Sequence, residues 1–222
     1  MAELKTDFSK ELAGLVDQPL IDALVDDVLS LAYLHNQELT AETITQLQAL
    51  SFPFNLGIAP QEEQQPVWQS MQDALDRLDT QPATLDKLAA EYAAIYLTGA
   101  YQASPYESVW TDDEHLMCQR SMFELRELYR QAGFRVENWR MRPDDHLVFE
   151  LYYLAHCLGK ISDLASIGAI RDFLDQHLML WYPEFVRTIA KRSDNDFYVS
   201  LNLLTCSWCD ALQKRVRAIQ IS

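Results

Sequence analysis

Apolar side chains recur at three- and four-residue steps through most of this chain, and each recurrence predicts a helix. Leu20, Leu24, Val28, Leu31 and Leu34, joined by Ile21 and Val25, form one stripe over 17–37, with Pro19 in its first turn. Thr40 is placed to cap a second helix running to Leu50. Residues 51–65 carry two prolines and a glycine and read as loop. Helices over 66–79 and 84–98 follow, the second closed by Gly99. The period then fails over 100–110, Ala-Tyr-Gln-Ala-Ser-Pro-Tyr-Glu-Ser-Val-Trp, a proline-containing aromatic loop of the kind pinned to a core or lining a site. A helix from Asp112 or Asp113 to Gly133 is predicted next, then an extended connector over 134–142 with Arg135, Arg140 and Arg142. Helices over 143–158, 162–178, 183–191 and 194–219 complete a reading of about ten helices. The fold class is all-α, in two packed helical halves, 1–133 and 143–222, hinged at the connector.

The stretch beginning Arg142-Pro-Asp-Asp-His146 draws most attention. Pro143 suits a first helical position, and Asp144 and Asp145 favour the positive end of the helix dipole. Leu147, Leu151, Leu154 and Leu158 form a core face, while His146 and Glu150, four apart, share another. An imidazole beside carboxylates can titrate near neutrality, hold a cation or bind a basic peptide. The plainer alternative is a capped helix start with a solvated histidine. A dimetal bundle needs Glu-x-x-His from two helices, and the nearest match, Asp112-x-x-His115, has no clear second copy. Cys206-Ser-Trp-Cys209 falls inside an apolar helix, so its thiols are read as core rather than as a redox pair. No phosphate-cradling glycine loop, nucleophile elbow or zinc-protease helix occurs. No metal or catalytic group is expected.

Composition narrows the partners. A net charge of −15 disfavours nucleic-acid backbones and anionic membranes and favours cationic partners, although acidity also serves solubility alone. The first ten residues are charged and no apolar run is long enough to span a bilayer, so a cytoplasmic protein with free thiols is expected. Tyr92 and Tyr96 end a helical stripe that runs into Tyr101, Tyr106 and Trp110. These rings are placed to surround a groove accepting apolar side chains and stacking guanidinium groups.

Three blocks, in order, resemble the TorD/DmsD family of molybdoenzyme-specific cytoplasmic chaperones, most closely its TorD branch. They are Tyr92-Ala-Ala-Ile-Tyr-Leu-Thr-Gly99, Ser104-Pro-Tyr-Glu-Ser-Val-Trp110, and Pro143-Asp-Asp-His146 with its helix. Ala100 stands where the family usually has proline, and Arg142 where many members have glutamate. The resemblance implies a non-catalytic chaperone that binds the twin-arginine signal peptide and the core of a molybdenum-cofactor reductase before cofactor insertion and export. Trimethylamine N-oxide reductase is the client it implies. It also implies a peptide site at Tyr92, Tyr96, Pro105, Tyr106, Glu107, Asp144, Asp145 and His146. No cofactor is expected, though the resemblance admits weak guanine-nucleotide binding. The connector would permit a domain-swapped homodimer. The rival readings are a small hydrolase or nucleotide-binding enzyme using Asp145 and His146, and a helical scaffold whose aromatic loop is simply core.

Overall fold

A computed structural model describes residues 17–136 and 142–219. Its helices are α1 (Gln18–Asn36), α2 (Ala41–Ala49), α3 (Gln65–Asp76), α4 (Pro82–Tyr92), α5 (Ser108–Thr111), α6 (Arg120–Gln131), α7 (Leu147–Leu158), α8 (Leu164–Phe173), α9 (Met179–Arg192) and α10 (Asp196–Ala218). The fold is all-α. Among the described residues there is no strand, and the one extended pairing is a single antiparallel bridge between Tyr106 and His146. Of the expected connector, residues 137–141 lie outside the described residues.

The predicted stripes decide what packs where. Leu24, Val28 and Leu31 of α1 meet α7, whose Leu147, Leu151, Leu154 and Leu158 are fully buried. α10 packs against both α3 and α9 and buries Leu201, Leu204, Trp208 and Leu212. Each such leucine stabilises the fold by about 1.5–3 kcal/mol over leaving it in water. The apolar cluster is continuous across both sides of the 134–142 segment. A polar pin fixes the loop after α2 to this core. The buried Asp27 carboxylate accepts from the Gly57 amide at 2.9 and 3.0 Å and from the Trp208 indole at 2.9 Å. A Cβ at Gly57 would lie 2.9 Å from Ala23 Cβ, so glycine lets this loop approach α1.

Local caps behave as the sequence predicts. Thr40 Oγ1 accepts from the Thr43 amide at 3.1 Å, and Gly99 ends its helix at φ +64°. Three helix starts differ by four residues or more. The helix expected from Asp112 begins at Arg120, because His115 (φ +55°) and Cys118 (φ +61°) turn the backbone left-handed. The helix expected from Pro143 begins at Leu147, capped by His146, whose Nδ1 accepts from the Val148 amide at 3.1 Å. Pro143 and the two aspartates form a turn instead, drawn onto the 105–108 loop by the backbone bonds described below. Pro183 does not break its helix. A π-turn at Leu174–Leu178 joins α8 to α9, so the helix expected from Pro183 already begins at Met179, with the proline inside it.

Candidate functional site

The aromatic loop and the start of α7 are tied together by backbone. The Glu107 amide donates to the Asp145 carbonyl and the Leu147 amide to the Pro105 carbonyl, both at 2.9 Å. These are the paired bonds of the Tyr106–His146 bridge. Side chains reinforce the seam. Asp145 Oδ2 accepts from the Ser108 amide at 2.9 Å and from the Ser108 hydroxyl. The Tyr106 ring meets the His146 ring edge-on at 4.9 Å. A single Pro-x-Asp-His motif thus caps a helix and clamps a distant loop.

Behind the seam lies a buried group of carboxylates. Glu107 faces the His177 Nδ1 at 3.1 Å from each oxygen. Glu150, fully buried, accepts from the Trp181 indole at 3.1 and 3.3 Å. Asp144 accepts from Arg126 Nε at 2.6 Å, and the Tyr129 hydroxyl donates to the Asp144 carbonyl at 3.2 Å. Asp145 Oδ1 is buried without a hydrogen-bond partner. Burial raises the pKa of Glu107, Asp145 and, furthest, Glu150, with mutual repulsion adding to each. Burial pushes the His146 imidazole well below its usual range, aided by the nearby Arg142 charge. It is therefore neutral at physiological pH, and its Nδ1 is engaged by its own helix.

The nominated residues divide by accessibility. Tyr92 and Tyr96 are each 4% exposed, their rings 5.0 Å apart inside the core. Tyr96 hydroxyl contacts His35 Nδ1 at 2.6 Å and accepts from Asn202 Nδ2 at 3.1 Å. Pro105, Glu107, Asp144, Asp145 and His146 are also buried. Tyr106 is half-buried and is the nominated side chain with a face toward solvent. Of the other loop aromatics, Tyr101 donates to Glu91 at 2.9 Å and the Trp110 indole to the Ser104 carbonyl at 2.7 Å. The loop is pinned, as its aromatic content predicts.

An open cleft lies beside this seam, where the His146 ring meets the Phe149 ring at 6.1 Å. It encloses about 930 Å³ and is lined by Val25 and Leu29 of α1, Phe134 and Val136, Arg142, and Phe149 and Tyr152 of α7. The Arg142 guanidinium sits 5.7 Å over the Phe149 ring and donates to Asn36 Oδ1 at 2.9 Å. The sequence reading missed this cleft. Its signal was two aromatic residues three apart on the side of α7 away from the leucine stripe, together with a second apolar row, Val25 and Leu29, on α1. Cys206 and Cys209 lie within α10, and burial raises both thiols, Cys206 to about 12. They are core. Among the described residues no group of three or more histidine, cysteine or carboxylate side chains is arranged to hold a metal ion, and no helix is long and apolar enough to cross a membrane.

A model of the nitrate reductase delta subunit family matches residues 60–187, which include the loop, the seam and Glu150. A chaperone protein TorD from Shewanella sp. (strain MR-4) is 31% identical over 84% of this chain and 89% of its own length. The chaperone protein TorD of Shewanella oneidensis is 32% identical over 84% of this chain and 86% of its own length. That of Vibrio parahaemolyticus is 28% identical over 70% and 76%.

Proposed function

Because this chain belongs to the TorD family of chaperones, we propose that it binds the precursor of a molybdenum-cofactor reductase in the cytoplasm and holds it until the cofactor is inserted. It acts by binding rather than by turnover. The client is a reductase exported with a twin-arginine leader, trimethylamine N-oxide reductase being the one the family name suggests. The observation that carries the reading is the cleft of about 930 Å³, where apolar and aromatic side chains set among Asn36, Arg135, Arg142 and His156 suit the apolar run of such a leader. The buried residues of the seam support this work from within. Asp145 and His146 fix the loop against α7, and the half-buried Tyr106 meets His146 edge-on at the seam.

Calorimetry with a synthetic twin-arginine leader peptide tests the proposal. Binding in the micromolar range or tighter is expected, and Phe149→Ala or Tyr152→Ala should weaken it by about 1–3 kcal/mol if these rings anchor the peptide. No heat at tens of micromolar in low salt would refute it.

A further inference from the structure

The cleft between α1 and α7 runs against the charge of the chain. The sequence holds 33 acidic residues against 18 basic ones, yet among the described residues no carboxylate lines this cleft, and its lining includes Arg135, Arg142 and His156. Apart from Asn36, its other lining side chains are apolar or aromatic. An adjoining hollow of about 490 Å³ shares Phe134, Arg135 and Val136 with it and adds Arg126 and Arg130. There the added arginines are answered, Arg126 by Asp144 at 2.6 Å and Arg130 by Glu127 at 2.5 Å.

Arg142 and Arg135 have no carboxylate partner among the described residues. Arg142 is half-buried, donates to the neutral Asn36 amide at 2.9 Å and lies 5.7 Å over the Phe149 ring. Its position is therefore fixed while its charge stays uncompensated, which is costly for a guanidinium drawn partly out of water. Arg135 is exposed. At the same end His156 Nε2 and Lys160 Nζ both donate to the Ala132 carbonyl at 3.0 Å, and the His156 ring packs 5.3 Å from Phe134. The cations thus belong to the 134–142 segment and α7, while the α1 wall is Val25 and Leu29 with Asn36 at its end.

We propose that this cleft seats a stretch of the client polypeptide in which carboxylates are set among apolar side chains, the apolar ones on Val25 and Leu29 and the carboxylates on Arg135 and Arg142. A guanidinium takes a carboxylate through two parallel N–H bonds, so the wall reads geometry as well as charge. Arg142 is ready for this, because the Phe149 ring and Asn36 hold its planar fork before a partner arrives. The lining is too apolar for nucleic acid, whose binding is dominated by cations along the phosphates. The same two arginines repel a guanidinium pair, so the leader's own arginines lie outside the cleft. Charge, added to shape, decides which segment enters.

This inference rests on the reading of the cleft as a client site, and one experiment separates the two. Fluorescence anisotropy is measured with a twin-arginine leader and with one apolar peptide carrying two glutamates, two glutamines or two arginines. The full chain should bind the glutamate peptide roughly ten-fold more tightly than the glutamine peptide, and the arginine peptide least. Arg135→Gln, at an exposed position, should reduce that preference, and Arg135→Gln/Arg142→Gln should abolish it while the glutamine peptide binds as before. Equal binding of the glutamate and glutamine peptides by the full chain, or a preference unchanged in Arg135→Gln, overturns the inference; binding of the leader then leaves the client reading standing. Displacement of the glutamate peptide by inorganic phosphate at constant ionic strength makes the wall a phosphate site and overturns the choice of a carboxylate. A full chain that binds none of the peptides overturns both.

Discussion

Glu150 is the side chain whose ionisation the fold resists most visibly, and its effect on stability has a definite sign. Its carboxyl is raised well above the ordinary value of 4.5, chiefly by burial. As pH rises past that value the unfolded chain gains by ionising while the folded chain does not, so stability falls. Glu107 and Asp145 act in the same direction. The buried histidines act oppositely. His35 is lowered from 6.5 to about 3 and His146 is also lowered, both mainly by burial, so their contribution is lost as pH falls below about 6.5. Glu150→Gln retains an acceptor for the Trp181 indole and removes the carboxyl. Its urea midpoint should therefore gain on the parent's as pH rises above the ordinary value of 4.5. A constant offset between the two curves would show that Glu150 is ionised in the folded protein.

Among the elements, α5 is the shortest and the most dependent on its neighbours. Its Ser108 is held by Asp145 from across the seam, and it leads into the 112–119 turn, where His115 and Cys118 have positive φ. Ser108→Ala should cost about 1–3 kcal/mol by leaving more of a buried carboxylate unsatisfied. Hydrogen exchange should then quicken at the amides of 109–115 while those of α7 hold. Equal quickening in both would mean that the loop and helix open as one unit. The same dependence explains which elements the sequence reveals. Thr40 and Gly99 mark helix ends by local chemistry and are legible. The start of α6 is not, because positive φ at His115 is sustained by contacts with Val109 and Asp112 rather than by residue type. Histidine is likewise an uncommon N-cap, so the Pro143 corner reads as a helix start when it is a turn.

Across the whole molecule, the apolar cluster joins α1, α7 and α10 in one unit, so a cavity at its centre should weaken every part together. Leu151→Ala is expected to cost about 2–5 kcal/mol and to shift fluorescence and circular dichroism transitions equally. Two separated transitions would mean that the helical halves unfold independently. Periodicity reveals this core because the leucine stripes are local in sequence. It is silent about the partners of the buried carboxylates, since Glu107 meets His177 across 70 positions and Glu150 meets Trp181 across 31. α10, the last helix described, is wrapped by the rest of the chain, with Trp208 and Leu212 at the centre of the cluster. A polypeptide still threaded through the ribosome before residue 196 lacks that centre. It should remain open to proteases until α10 has been made and has docked onto α3 and α9.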